Sequence, residues 1–427
     1  MDWLPSANFL AVTCVVLLAV CVLLGIFLWS TKHHRDPHIH VKCESAIVDL
    51  VPSLAGLTHG MVVEGNSVEI IKNGAFFKRV MAEIASAKKS VHFETFLWKA
   101  GKLGEDVTEA FCERARAGIP VRVLVDANGC GGMGDDACKK LVAAGVKFAR
   151  FHPLKLRNIG VMNQRDHRKI VVVDGRVAYV GGHCIVDTWD GEAQDKEHYR
   201  DMSVRLEGPG VHQVQSTFSE NWVGTTNELF AGEAYFPDIE PCGDLAVHVA
   251  RVNPAGSAPA VKILHHMVIC TARKRLWIQN PYFLPEPEAI DAMGEAVKRG
   301  VDVRVMVPTM EASDMPLVQQ AAQRNFQRIL DAGVKILEFP TTLLHQKTMV
   351  VDGVWSAVGS TNFDDRAFEI NDEITIGIVG EAFAKQMEAS WHEDAKACKE
   401  IDPKEWPKRG LKRRLLEHWW YLWNEQL

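Results

Sequence analysis

The sequence lacks the signatures of a metalloprotein, a nucleic-acid binder or a disulfide-stapled secreted domain. Its ten cysteines are scattered from Cys14 to Cys398, with no Cys-x-x-Cys pair and no Cys/His group at zinc spacing. That excludes a zinc ribbon and a Cys-x-x-Cys redox centre, and it fits free thiols in a reducing compartment better than a disulfide framework. No group of carboxylates is spaced to hold Mg²⁺, so neither a metal nor any other cofactor is expected. There is no excess of basic residues: the formal net charge is -6 over 427 residues, which removes the general electrostatic reason to expect nucleic acid as a partner. Long hydrophobic runs are also missing, with one exception at the start.

That exception is Phe9 to Trp29, a stretch without a charged side chain. At ~1.5 Å per residue it reaches across ~31 Å, close to the hydrocarbon core of a bilayer. Trp3 and Trp29 sit at its edges, where amphipathic rings prefer the headgroup level. The leading segment holds Asp2 rather than cations and no Ala-x-Ala site follows, so a retained anchor is expected rather than a cleaved signal peptide. Lys32 and Arg35 follow the span and no basic residue precedes it, which places the bulk of the chain on the cytoplasmic face. Residues 1–36 are therefore assigned to the anchor and residues 37–60 to a polar connector.

Beyond it, 47% hydrophobic and 24% charged residues describe an ordinary globular chain with room for two core-bearing lobes. The pattern alternates strand and helix: a strand over 90–97, a helix over 105–117 stopped by Gly118, strands over 121–126 and 146–151. The order then repeats, with a strand at 275–279, a helix at 289–299 stopped by Gly300, and a strand at 301–307. RARAGIPVRVLVD (114–126) and AVKRGVDVRVMVP (296–308) are visibly one unit, as are LVAAGVKFARFHP (141–153) and ILDAGVKILEFP (329–340). The expectation is an α/β fold of two duplicated lobes, 61–245 and 246–400, each a sheet flanked by helices and related by a pseudo-twofold, with a tail at 401–427.

The repeat carries chemistry. His167-Arg168-Lys169 is followed by Asp174-Gly175 and Gly181-Gly182; His345-Gln346-Lys347 is followed at the same spacing by Asp352-Gly353 and Gly359-Ser360. One His-x-Lys is weak; two with matching internal spacing imply that the duplication brings two histidines and two lysines together. Residues i and i+2 of a strand share a face, so His167 with Lys169, and His345 with Lys347, point into one pocket. Asp-Gly ahead of an apolar run is a hairpin signal, which gives Asp174 and Asp352 a turn-capping reading. A neutral imidazole attacks phosphorus and a protonated one donates to a leaving alkoxide; lysines hold the phosphoryl oxygens. The chemistry expected is metal-independent phosphoryl transfer.

These residues resemble the phospholipase D superfamily, whose His-x-Lys-x4-Asp signature matches at both sites and so adds Asp174 and Asp352 to the catalytic set. The resemblance implies two lobes around one site, with His167 as nucleophile and His345 as acid, then base. It also implies that Asn362 bonds the phosphate, that Glu373 orients the second histidine, His345, and that Asp201 orients His167. Cys184 stands where the first copy of the pattern has Asn, and His183 beside it reads as a packing residue. Segments 65–98, 199–222, 280–288 and 359–374 resemble the bacterial cardiolipin synthase branch, with Ala367 a small departure. That branch implies transfer of a phosphatidyl group from one phosphatidylglycerol to another with release of glycerol; the alternative is hydrolysis of phospholipid by water, and less so a nucleic-acid phosphodiesterase. The implied partners are an anionic phospholipid and the bilayer; nothing sets an oligomeric state. In the tail, Lys408, Arg409, Lys412, Arg413 and Arg414 precede Trp419, Trp420 and Trp423, with Trp406 ahead of them and Leu411, Leu415, Trp419 and Leu422 at helical spacing. This reads as an interfacial helix on anionic lipid.

Overall fold

The computed structural model describes residues 7–33, 45–153, 163–254 and 259–421. The chain divides into two compact units, Met1–Val41 and Lys42–Leu427. The first holds one helix, Ala7–His33. Its side chains are described continuously only over 11–24, where all are exposed. Among the described residues no helix is long and apolar enough to cross a membrane. Trp3, Arg35 and Cys43 lie outside the described residues.

The second unit is built on strands rich in β-branched residues. The first half contributes β1 (Val62–Lys72), β2 (Val91–Thr95), β3 (Val121–Asp126), β4 (Lys147–Phe151), β5 (Ile170–Val173), β6 (Val177–Gly181) and β7 (Met202–Glu207). The second half contributes β8 (Leu245–Val252), β9 (Arg275–Gln279), β10 (Asp302–Pro308), β11 (Lys335–Phe339), β12 (Lys347–Val351), β13 (Trp355–Gly359), β14 (Glu373–Val379) and the short β15 (Lys399–Glu400). The helix expected at 105–117 runs Lys102–Arg116 and buries Leu103, Val107 and Phe111 at intervals of four; Gly118 ends it at φ +84°.

Two sheets were expected, one per lobe; a single sheet is found. Its order is β15-β11-β10-β9-β12-β13-β14-β8-β1-β7-β6-β5-β2-β3-β4. The halves mirror each other about the β8–β1 pair. Both central strands are long, so each half lends an open edge to the other and neither edge is left unpaired. One apolar cluster accordingly runs through both halves, from Leu124, Ile170 and Val204 to Val350, Val358 and Ile376. The polar connector is also corrected: within 37–60 lies a helix, Ile47–Leu57, that buries Ile47, Val51 and Leu54, and Thr58 after it bonds His248 of β8 at 2.8 Å.

The two hairpins that carry the motifs turn on Asp174-Gly175 and Asp352-Gly353, whose φ values are all positive, +55° and +66°, +54° and +72°. Two left-handed residues in succession make the type I′ turn that matches strand twist. Each aspartate also accepts three backbone amides, Asp174 from Lys88, Lys89 and Ser90 and Asp352 from Arg273, Lys274 and Arg275.

Candidate active site

Each histidine sits two or three residues before a buried strand, β5 or β12. His167, Lys169, His345 and Lys347 are all buried. Lys169 Nζ donates to His167 O and Lys347 Nζ to His345 O, both at 2.6 Å. Lys347 Nζ also donates to His345 Nε2 at 2.9 Å. The His345 ring feels the charges of Lys347 and Lys169, and the His167 ring feels those of Lys169, Lys347 and His345. The two motifs therefore share one electrostatic enclosure.

The orienting carboxylates are exchanged relative to expectation. Glu373 Oε1 lies 2.7 Å from His167 Nδ1, and Asp201 Oδ2 lies 2.7 Å from His345 Nδ1. Each half supplies a histidine and lends a carboxylate to the other half's histidine. The cause is backbone pairing across the halves. Short parallel bridges join Asp166 to Asp372 and Arg200 to Leu344. His167 N donates to Asp372 O at 3.0 Å and His345 N to Arg200 O at 2.8 Å. These bonds bring each histidine alongside the far carboxylate. Two buried arginines lock the same seam: Arg168 Nη2 bonds Val252 O at 2.9 Å, and Arg200 Nε bonds Asp394 Oδ1 at 2.8 Å.

The carboxylates have different surroundings. Glu373 Oε2 accepts from the Ser360 hydroxyl. Asp201 Oδ2 instead accepts Trp189 Nε1 at 2.7 Å, and Oδ1 accepts Met202 N at 2.7 Å. Gly182 occupies the position equivalent to Ser360; a Cβ there would stand 2.3 Å from Asp201 Oδ1. Burial pushes the Glu373 carboxyl well above the usual range, against the pull of Lys169. Burial also acts to raise Asp201, but the charges of His345, His183 and Lys347 outweigh it and hold that carboxyl below the usual range. Burial, with Lys169 and Lys347, depresses His167 strongly. His345 is lowered by burial and by Lys347 to about 4, with Asp201 opposing. Lys347 is lowered by burial to about 7.

Other expected residues divide. Asn362 is buried and its Oδ1, an acceptor, has no hydrogen-bond partner; only its Nδ2 amide can donate to a phosphoryl oxygen. Asp174 and Asp352 stand at the opposite ends of β5 and β12 from the histidines and are bonded to backbone amides, the arrangement of their turn-capping reading. Cys184 is buried, with Sγ 3.7 Å from Gly182 O and a thiol pushed up by burial. His183 packs: Nδ1 lies 2.7 Å from Ser203 Oγ, Nε2 2.9 Å from Asn73 O, and its ring stacks on Phe76 at 4.3 Å. Sequence reasoning missed Ser360, Trp189 and Phe96. Phe96 presents a ring edge-to-face with His167 at 4.8 Å and lies under Lys169 Nζ at 5.3 Å. Trp189 crosses His345 at 5.1 Å. Ser360 was visible as the one difference between Gly181-Gly182 and Gly359-Ser360; the aromatic residues carried no signal.

With Nδ1 engaged by a carboxyl group, each ring leaves Nε2 for the enclosure. Two imidazoles of different basicity and two lysines suit in-line displacement at a phosphodiester.

Comparison with known proteins agrees in scope. The family model described as cardiolipin synthase, PLD-like domain, matches residues 80–222 and 267–395. The major cardiolipin synthase ClsA of Bacillus subtilis is 31% identical over 373 residues, 86% of this chain and 77% of that protein. A cardiolipin synthase of Staphylococcus aureus is 31% identical over 350 residues, 81% of this chain and 70% of that protein. Among solved structures, the phosphatidylserine synthase of Haemophilus influenzae shares the fold, with a TM-score of 0.68 at 14% identity over 87% of this chain and 98% of that one.

Proposed function

The chain belongs to the cardiolipin synthase family of phospholipase D-like phosphatidyltransferases, and from that premise we propose that it joins two phosphatidylglycerols through a phosphohistidine on His167. His167 Nε2 attacks the phosphorus of the first lipid. The bond from phosphorus to the headgroup glycerol oxygen breaks, and imidazolium His345 gives that oxygen its proton, so glycerol leaves. His345, now neutral, takes the proton from a glycerol hydroxyl of the second lipid. That oxygen attacks phosphorus, the P–N bond breaks, and His167 is restored. Lys169, Lys347 and Asn362 hold the phosphoryl oxygens through both steps.

The observation that supports this division of labour is the unequal pair of carboxylates. Asp201 stays ionised behind His345 and opposes the burial and the Lys347 charge that lower that ring to about 4. The anionic phosphate adds to that opposition, so His345 takes up its proton as the diester binds. Glu373, raised by burial, gives no comparable support to a charged His167, and beyond burial the charges of Lys169, Lys347, His345 and Arg366 oppose it, as a neutral nucleophile requires.

The membrane reading rests on both ends of the chain. The apolar run 9–29 is proposed as a single-pass anchor of the cell membrane, with the catalytic unit on the cytoplasmic side. The C-terminal helix, Leu411–Tyr421, exposes Leu411, Leu415 and Trp419 along one stripe. Its opposite face packs, burying Glu417 against Arg409. Trp406 is buried rather than interfacial, and Leu422 and Trp423 lie outside the described residues. An amphipathic helix so placed suits an anionic bilayer surface.

Pure protein with labelled phosphatidylglycerol tests the activity: cardiolipin and glycerol are expected in equal amounts. Phosphatidic acid as the main product would replace transfer by hydrolysis. His167→Ala and His345→Ala are each expected to abolish turnover, and full activity in either would refute the shared site.

A further inference from the structure

Away from the catalytic enclosure, the C-terminal helix and the helix Pro316–Asp331 enclose a groove of about 630 Å³. Arg324, Arg328, Arg409, Arg414 and His418 line it, with Asp331 the one carboxylate among the lining residues. Arginines that serve packing meet carboxylates, and here some do. Arg409 bonds the buried Glu417 at 2.7 and 2.8 Å, and Arg328 meets the exposed Asp291 at 2.8 Å. Asp331 accepts from Gln327 at 2.9 Å.

Arg324 and Arg414 are different. They come from separate helices, they face one hollow, and neither has a carboxylate partner among the described residues. The guanidinium of Arg324 is fixed by a stack on Tyr421, 3.9 Å from the ring centroid. It makes only a long contact to Asn325 Oδ1, 3.4 Å. Two guanidiniums without carboxylate partners that line one hollow suit an anion, and a phosphate accepts from both in the fork geometry arginine offers. The groove falls within the size range of small-molecule sites. It also adjoins the exposed stripe of Leu411, Leu415 and Trp419, which brings it to headgroup depth when that stripe meets a bilayer.

We propose that this groove is a second lipid site, separate from the catalytic pocket, that grips the phosphate of an anionic phospholipid between Arg324 and Arg414. It rests on the membrane reading given above. The lipid held there keeps the C-terminal helix at the surface and marks the membrane by its charge, since a neutral headgroup offers nothing to two cations.

The full chain is reconstituted in phosphatidylcholine vesicles containing phosphatidylglycerol with a photoreactive headgroup, irradiated, and mapped by mass spectrometry. Adducts are expected on the segments 324–328 and 409–421. They should fall by about thirtyfold in the double variant Arg324→Gln/Arg414→Gln, the scale set by removing two cations from an anionic surface. Arg324→Lys/Arg414→Lys, which keeps the charge, should retain part of the labelling. Unlabelled phosphatidylglycerol should compete; inorganic phosphate should not. Undiminished labelling in the Gln variant, equal competition by inorganic phosphate, or adducts confined to the catalytic pocket would each overturn the proposal. Cardiolipin formation is followed in the same vesicles. Transfer without groove labelling removes the lipid site alone, whereas groove labelling without transfer removes the catalytic reading alone.

Discussion

Glu373 and Asp201 occupy equivalent places, each 2.7 Å behind a histidine, yet burial raises one and neighbouring cations depress the other. A pair of histidines is thereby given unequal affinity for a proton by residues that never touch substrate. Two predictions belong at this scale. Burial lowers Lys347 to about 7, so its charge is present below that pH and lost above it. Since kcat/KM reports the free enzyme, it should fall as pH rises through about 7. Lys347→Arg keeps its charge at every accessible pH, and its profile should lose that alkaline limb; an unchanged limb would assign it to another group. Gly182→Ala places a methyl where Asp201 Oδ1 lies 2.3 Å away, pushing the carboxylate off His345. A loss of about a hundredfold in kcat is expected, within the range for general acid–base help, with KM little changed; a wild-type kcat would show that the carboxylate has room to move. The histidines and lysines were legible in the sequence because repetition at fixed spacing is a strong signal. Their carboxylate partners were legible as residues but not as pairs, because pairing is decided by cross-half bridges such as Asp166 to Asp372 that no local pattern encodes.

The two Asp-Gly hairpins show how an element inherits a motif residue for structural reasons. Asp174 and Asp352 sit at left-handed φ and each collects three amides from the loop leading into β2 or β9. A carboxylate bonded in this way ties the motif hairpin to its neighbouring strand. Asp174→Ala and Asp352→Ala should each lower stability by about 2 kcal/mol, the scale of hydrogen bonds to a charged acceptor. The folded fraction should keep its kcat. Denaturant midpoints measured beside activity decide this: a loss of kcat with an unmoved midpoint would keep the aspartates in the catalytic set. Other elements were legible to within a few residues; β3 and β9 fall where periodicity placed them, and Gly118 and Gly300 mark the helix ends. The helix Ile47–Leu57 escaped because Pro52 interrupts it and because eleven residues have little helical signal apart from the surface they bury.

On the scale of the molecule, duplication predicted two lobes but not their fusion. A lobe drawn from its own sequence closes on itself; here β1 and β8 pair instead, with a register shift between Val63 and Asn66 that Asn66 Nδ2 repairs by bonding Val63 O at 2.7 Å. The fusion determines how the site is assembled. Both histidines and both carboxylates come from one chain, and the exchange between halves is held by a shared sheet, by one apolar cluster and by the buried bonds of Arg168 and Arg200. Separating the halves would open a buried seam lined with charged side chains, so exchange of halves between two folded chains is strongly disfavoured. A mixture of the His167→Ala and His345→Ala chains should therefore remain inactive, even when the two are mixed in one detergent solution and reconstituted in one vesicle. Each chain keeps one histidine with its carboxylate, and neither has a route to the other's. Cardiolipin formation in the mixture, rising with the product of the two concentrations, would show that halves from different chains meet. It would make the active unit a pair of chains rather than a pair of lobes.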